Sequence, residues 1–260
     1  MTTAQLRHGG PVAPVGPAMT KVPQVTAVFW IIKVLTTGMG ETASDFLAHV
    51  MDPMIAVALG AVGLAVALAA QFAVRRYVAW IYWTAVVMVS VFGTMAADVL
   101  HVGLGVPYTV ATPFFLLALA AVFGAWYATE RTLSVHSINT RRRELFYWAT
   151  VLATFALGTA AGDLTATTFK LGYLASGIAF AVAIAVPALA HAKLGLGAVT
   201  AFWSAYVLTR PLGASFADWM AVSHARGGLN LGLGPVTLGW TVVILALVGW
   251  LATTGRDVEA

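Results

Sequence analysis

The chain has 260 residues, of which 60% are hydrophobic and only 9% are charged, against roughly 25% charged in an ordinary soluble domain. This composition excludes a soluble globular protein and indicates an integral membrane protein. Because the chain has no cysteine, disulfide bonds, thiolate metal sites and cysteine nucleophiles are also excluded.

The first segment, residues 1–26, is rich in Pro, Gly and Thr and has no apolar core of a signal peptide, so we expect a flexible tail. A helix needs about 20 apolar residues to cross a bilayer, and eight stretches satisfy this requirement. They lie at 27–50, 54–74, 78–102, 109–129, 145–167, 171–190, 199–222 and 235–253. The sequence thus predicts an all-α, polytopic membrane domain over 27–253 with eight transmembrane helices, followed by a short tail over 254–260.

The distribution of cations predicts the orientation in the membrane. Loops on one side carry only Lys170 and Arg226, whereas the loops and tails on the other side collect most of the cations outside the predicted helices. These are Arg7, Lys21, Arg75, Arg76, Arg131, Arg141, Arg142, Arg143, Lys193 and Arg256. By the positive-inside rule both termini are cytoplasmic. The formal charge of +4 follows from this topology and needs no nucleic-acid partner, although the basic loop 131–143 could contact anionic lipid.

A spacing of Trp, Gly and Asp, W-x9-G-x4-D, recurs four times. It occurs at Trp30, Gly40 and Asp45; at Trp83, Gly93 and Asp98; at Trp148, Gly158 and Asp163; and at Trp203, Gly213 and Asp218. The pattern falls only in the odd-numbered predicted helices, which all run in one direction. We therefore predict four repeated helical hairpins with a pseudo-symmetric core, either fourfold or made of two pairs related by a twofold axis.

Each part of this pattern has a physical interpretation. An aromatic residue precedes every motif Trp, and we interpret these pairs as anchors at the cytoplasmic interface. The motif glycines allow close helix packing. Each Asp follows its Trp by about 22 Å along the helix axis, which places it in the outer half of the bilayer. A carboxylate is costly there and a helix cap could be Ser, Thr or Asn, so we expect a functional role for the Asp residues.

Other polar residues accompany the repeated Asp residues. Glu41, Asp45 and His49 follow one helical stripe, and Asp98 and His101 share a face. The candidate metal ligands are therefore Glu41, Asp45, His49, Asp98, His101, Asp163 and Asp218. Oxygen and imidazole ligands suit a divalent cation such as Mn²⁺, Fe²⁺, Zn²⁺ or Mg²⁺. Clustered carboxylates would also share protons, because each negative charge disfavours ionisation of its neighbours.

Two cations, Lys33 and Arg210, fall within predicted helices. Arg210 precedes Pro211, and glycines follow Lys33, so we expect discontinuous helices in the first and fourth repeats. The simplest role for Arg210 is an ion pair with Glu41 or with one of the Asp residues, and Lys33 could do likewise. As a rival role, the two cations could bind an anion.

Three stretches, "KVLTTGMGETASDFL", "ELFYWATVLATFALGTAAGDLTA" and "LTRPLGASFADW", resemble a bacterial family described as uncharacterised membrane-anchored proteins, and the resemblance covers most of residues 24–245. It implies a polytopic protein of the bacterial inner membrane and carries no activity. A looser similarity of design links "GMGETASD" and "AGDLTA" to the Glu-x-Gly-Asp-Lys-Thr motifs of a transporter family that moves Mn²⁺ and Ca²⁺ against protons. Phe46 and Leu164 stand where that family has Lys.

These observations together predict a membrane transporter of a divalent metal cation, an exporter or a proton-coupled exchanger, with no enzyme activity and no bound cofactor. Its partners would be membrane lipid, the cation and protons, and a homo-oligomer is compatible with the sequence. One alternative is a non-transporting scaffold or partner protein whose Asp residues are structural caps. Another is a membrane enzyme or cofactor carrier.

Overall fold

The computed structural model describes residues 20–258, which form eight long helices and no strand. The helices are α1 (Ala27–Val50), α2 (Pro53–Ala73), α3 (Ala79–Asp98), α4 (Tyr108–Glu130), α5 (Arg141–Asp163), α6 (Tyr173–Leu194), α7 (Ala198–Ala221) and α8 (Leu233–Thr254). Two π-helical turns, Val99–Gly103 and Leu164–Thr168, extend α3 and α5 directly. The prediction of an all-helical chain with eight long helices is confirmed for these residues.

Six of the helices, α2 to α6 and α8, are long and apolar enough to cross a membrane by length and composition. They indicate a membrane protein. Helices α1 and α7 have 24 residues each, but Lys33 and Glu41 in α1 and Arg210 in α7 make them more polar. By this measure six of the eight predicted spans are confirmed. The other two differ because they bury charged side chains inside the protein.

Local sequence explains where the helices begin. The hydroxyl of Thr26 accepts a hydrogen bond from the first turn of α1, and Thr140 does the same for α5. Asp52 caps α2, and Pro53 follows at the first helical position, where its missing N–H costs nothing.

The predicted breaks in the first and fourth repeats are not observed, because α1 and α7 are continuous. Helix α7 runs through Pro211, and close to it the Thr37 hydroxyl of α1 donates to the Thr209 carbonyl at 3.1 Å. The carbonyl that Pro211 leaves without a helical donor is that of Val207, four residues earlier, so this bond ties α1 to α7 and does not replace the lost one.

The odd-numbered helices form a closed ring. Helices α1 and α5 each pack against both α3 and α7. The even-numbered helices lie outside, with α2 packed mainly on α3, α4 on α5, α6 on α7 and α8 on α1. In the outer helices only 17–22% of the apolar segment is buried within the protein, against 50% for α3 and 67% for α5. The predicted hairpins are therefore not the main packing units, because each even-numbered helix packs mainly on the following ring helix, with α8 on α1, and less on the one that precedes it.

The motif glycines set the distance between ring helices. Each glycine lies against the residue three positions before the motif glycine of the next ring helix. The pairs are Gly40 with Ser90, Gly93 with Phe155, Gly158 with Arg210, and Gly213 with Thr37. An added Cβ on any of these glycines would overlap its partner, so the prediction that they allow close packing is confirmed.

Aromatic side chains fill the ring near the ends of the helices that lie on the side of the chain termini. We call this side the basic end, and the opposite side, where α1, α3, α5 and α7 finish, the acidic end. Each aromatic residue before a motif Trp packs on the Trp of the next ring helix, at centroid distances of 5.5–6.1 Å. The pairs are Phe29 with Trp83, Tyr82 with Trp148, Tyr147 with Trp203, and Phe202 with Trp30. We call these eight residues the aromatic layer.

Their interpretation as interfacial anchors is wrong. Trp83, Trp148 and Trp203 are only 2%, 3% and 5% exposed, and Tyr82 and Tyr147 are fully buried. Aromatic rings gain most from edge and face contacts with one another, and the ring provides these contacts between helices. The aromatic layer therefore closes the ring at its basic end.

Both ends of the chain pack over the basic end. Lys21 is buried and forms an ion pair with Glu144, which also accepts a hydrogen bond from Gln71 at 3.1 Å. The Gln24 amide donates to the Asp257 carbonyl at 2.9 Å. Residues 20–26 of the predicted flexible tail over 1–26 thus pack against the protein, because this part is held by burial and by a buried ion pair. Residues 1–19 of that tail, and residues 259–260 of the C-terminal one, lie outside the described residues.

A candidate cation site at the acidic end

The four motif Asp residues lie around Glu41 at the acidic end. Glu41 and Asp218 are buried, and Asp45, Asp98 and Asp163 are half-buried. Glu41 interacts electrostatically with each of the four Asp side chains. The ring therefore brings the five predicted carboxylates into one region, although they are spread over 178 positions of the chain, from 41 to 218.

Three of these carboxylates meet directly. Oxygen atoms of Glu41, Asp45 and Asp218 lie within 4.8 Å of one another, and we call these residues the carboxylate cluster. Glu41 and Asp45 are one turn apart on α1, and the packing of Gly213 against Thr37 brings α7 close enough for Asp218 to join them. Among residues 20–258, this is the one group of three or more such side chains that could hold a metal ion.

Arg210 binds the inner side of the carboxylate cluster. It is fully buried and forms an ion pair with Glu41. The same Nη2 donates to the hydroxyl groups of Thr94 and Thr159, the latter at 2.6 Å. Glu41, Thr94 and Thr159 each stand four residues before a motif Asp. The same position of three repeats, on three ring helices, therefore contacts Arg210 on the fourth ring helix.

Lys33 has a different environment from the one predicted. Its Nζ lies 4.0 Å from the ring centroid of Phe155 and 4.2 Å from that of Tyr206, and it has no hydrogen-bond partner. The expected ion pair between Lys33 and an acid is not observed, because Glu41 is already paired with Arg210 and the remaining acids lie further along the helices. A cation over two aromatic faces is stabilised by the ring quadrupoles.

The predicted histidine ligands lie outside the carboxylate cluster. His49 is exposed, with Nδ1 2.7 Å from the carbonyl oxygen of Asp45. His101 stacks on Tyr108 at 3.6 Å, with Nδ1 2.7 Å from the carbonyl oxygen of Val106. His101 lies in the π-helical turn that begins after Asp98, and this turn has more residues than an α-helical one, so the α-helical spacing used for the prediction does not apply to this pair. The group that the structure assembles has oxygen ligands alone.

The charge of the cluster defines its chemistry. With three ionised carboxylates and one guanidinium, the arrangement carries 3 − 1 = 2 uncompensated negative charges. Like charges this close are costly in a membrane protein unless a cation or protons neutralise them. The arrangement is therefore able to take up a divalent cation or two protons.

Sequence reasoning missed Phe155 and Tyr206, which enclose Lys33. A signal for both was present in the repeat. Phe155 stands seven residues after its motif Trp, as Arg210 does, and Tyr206 stands three after its motif Trp, as Lys33 does. Aligning the four repeats would have placed these four side chains in adjacent layers of the ring.

Comparison with known families adds one result. The family described as Repeat of Unknown Function (DUF347) matches residues 28–77, 81–132, 146–195 and 201–257. Each matched segment contains one complete Trp, Gly and Asp pattern. No curated protein and no solved structure matches the chain.

Proposed function

Because the chain belongs to the DUF347 repeat family, we propose that its four repeats form a single transport unit, a pseudo-fourfold ring that exchanges a divalent metal cation for protons across a membrane. The cyclic contacts of the motif glycines and of the aromatic layer support the fourfold arrangement over two separate pairs. All eight helices cross the membrane in this proposal, with the charged side chains of α1 and α7 inside the ring.

One observation carries the functional proposal: oxygen atoms of Glu41, Asp45 and Asp218 lie within 4.8 Å of one another beside a buried guanidinium. A structural cap needs only one side-chain oxygen, and Ser, Thr or Asn would supply it without a charge. Three converging carboxylates, when all are ionised, leave two uncompensated charges beside the guanidinium, and this charge matches a divalent cation. When the cation leaves, protons take its place on the same oxygens.

The ligand chemistry narrows the class of cation. The carboxylate cluster offers oxygen atoms, whereas His49 and His101 lie outside it. Hard oxygen ligands favour Mg²⁺ and Mn²⁺, and zinc sites usually include nitrogen or sulfur ligands. We therefore place Mn²⁺ and Mg²⁺ ahead of Zn²⁺ and Fe²⁺ as substrates.

Access to the cluster differs between the two ends. Asp45 is half-buried at the acidic end, whereas the aromatic layer and the Lys21–Glu144 ion pair close the basic end. In the proposed orientation the termini are cytoplasmic in a bacterial inner membrane, so the cluster faces the outside. Release of Glu41 by Arg210 and opening of the aromatic layer would expose the site to the cytoplasm.

The test measures Mn²⁺ binding and transport by the purified protein in liposomes. Asp45→Asn and Asp218→Asn should each abolish the uptake of Mn²⁺ into the liposomes and weaken equilibrium Mn²⁺ binding, since each removes one ligand charge. Asp52→Asn is the matched control, because Asp52 is an exposed helix cap near the same end, and Asn caps equally well. Wild-type transport in both cluster variants would refute the proposal and favour a structural role for the acids.

A further inference from the structure

Three buried tyrosines lie between Lys33 and the basic end. Tyr82, Tyr147 and Tyr206 are each 0% exposed. The hydroxyl groups of Tyr82 and Tyr147 are hydrogen-bonded to each other at 2.5 Å. The Tyr206 hydroxyl interacts electrostatically with Tyr147 but has no hydrogen bond of normal geometry. A line of hydroxyl groups thus crosses the aromatic layer.

Packing does not require these hydroxyl groups. Tyr82 and Tyr147 stand directly before a motif Trp, and in the other two repeats Phe29 and Phe202 fill the same position with similar ring contacts. A buried hydroxyl is costly unless it is bonded, so phenylalanine would be the simpler choice in all four repeats. The two tyrosines therefore supply a polar path that the repeat does not need for stability.

Lys33 stands at the inner end of this path. It is 1% exposed, and the groups that face it are Arg210 and Tyr206 of α7 and Phe155 of α5. Helix α8 contains no titratable residue, and the titratable residues of α3 lie near its two ends. Lysine can lose a proton when buried, whereas arginine stays charged. Lys33 is thus the cation of the pair that can exchange a proton.

The outer end of the path reaches the surface of the basic end. The ring of Tyr77 packs edge-on against Tyr82 at 5.6 Å, and the Tyr77 hydroxyl bonds the carboxylate of Asp257. Tyr77 is half-buried and lies between α2 and α3. Side chains that carry exchangeable protons therefore run from the middle of the ring to the basic end.

We infer that protons are relayed between the acidic end, where the carboxylate cluster lies, and the basic end. The relay consists of Lys33, Tyr206, Tyr147 and Tyr82. A rotation of the Lys33 stem moves Nζ from the face of Tyr206 to its hydroxyl. The ammonium N–H bond breaks, the Tyr206 oxygen gains that proton, and its own proton passes to Tyr147 and then to Tyr82. Each oxygen gains one proton and loses one: the Tyr77 oxygen takes the proton that Tyr82 releases, and the proton of Tyr77 passes to the carboxylate of Asp257 at the basic end.

This inference rests on the proposed function and explains how the exchange is coupled. A cation on Glu41 displaces the guanidinium of Arg210, which already interacts electrostatically with Lys33. The freed positive charge disfavours the ammonium form of Lys33 and sends its proton along the tyrosines. Occupation of the carboxylate cluster by the cation would thereby release a proton at the basic end, in the direction opposite to that of a cation leaving through the acidic end.

The test uses full-length protein in liposomes, with one dye for internal Mn²⁺ and a second for internal pH, and equilibrium Mn²⁺ binding measured separately. Tyr147→Phe and Tyr82→Phe should lower Mn²⁺-driven proton flux roughly 100-fold and leave Mn²⁺ binding unchanged. Lys33→Arg keeps the charge but cannot release the proton, so it should have the same effect. Tyr127→Phe is the control, because Tyr127 is 53% exposed on the outer helix α4.

The outcomes separate the two proposals. Wild-type proton flux in Tyr147→Phe and Tyr82→Phe overturns the relay while Mn²⁺ transport stands. Mn²⁺ transport by the wild type without proton movement overturns the relay together with the proton coupling in the proposed function, and leaves the transport of the cation standing. If the wild type neither binds nor moves Mn²⁺ or Mg²⁺, the proposed function fails and the relay fails with it.

Discussion

The ion pair between Arg210 and Glu41 allows the sharpest test of the ring interior. Both side chains are buried, at 0% and 4% exposure, so solvent does not screen their charges. In Glu41→Gln the guanidinium of Arg210 would keep its hydrogen bonds to the hydroxyl groups of Thr94 and Thr159 but lose its ion pair with residue 41. Since arginine cannot release its proton, the variant leaves an uncompensated charge inside the protein.

The expected loss is large. Removal of one partner of a buried pair costs about 3–5 kcal/mol, which for a chain of this size corresponds to roughly 6–20 °C in the unfolding temperature. Arg210→Met should cost less, because the carboxylates that it leaves behind can take up protons. The double variant Glu41→Gln/Arg210→Met removes both charges and should be more stable than Glu41→Gln alone.

Thermal unfolding in detergent, monitored by tryptophan fluorescence, measures the relative stabilities of these variants. Trp83 and Trp148 are buried between ring helices, so their emission should change when the ring opens. If Glu41→Gln unfolds at the wild-type temperature, or if the double variant is no more stable than Glu41→Gln, the buried ion pair does not hold the ring as we describe.

Two further predictions concern stability. Gly93→Ala places a Cβ 2.7 Å from the Cβ of Phe155 and should cost about 1–3 kcal/mol, whereas Gly124→Ala on α4, with no atom within 4 Å, should be neutral or stabilising. Equal unfolding temperatures for the two variants would contradict the close contact between α3 and α5. Burial and the hydrogen bond to Asp257 raise the pKa of Tyr77, so the folded state holds the phenol proton more tightly than the unfolded state. This contribution to stability is complete below the ordinary tyrosine pKa of about 10 and is lost as the pH rises above it. Tyr77→Phe should flatten the alkaline decline of the unfolding temperature, and an unchanged decline would argue against this role.

Some features of this protein follow from the sequence because they depend on local composition and spacing. The number of long helices is set by the length of the apolar stretches between polar loops. The fourfold pattern of Trp, Gly and Asp identified the ring helices and the four Asp residues, and the glycines required close packing. Arg210 with Glu41 was among the pairings that the sequence predicted, because few buried charges were available to it.

Other features depend on which helix faces meet, and only the tertiary structure decided them. Arg210 and Glu41 are 169 positions apart, and no local pattern brings them together with Thr94 and Thr159. The aromatic residues look like interfacial anchors along one helix, yet the ring places each of them on the Trp of the next helix. A π-helical turn, which the sequence did not predict, follows Asp98 and contains His101, whose ring stacks on Tyr108. Lys33 took two aromatic rings as neighbours because the packing of α5 and α7 around α1 left no acid within its reach.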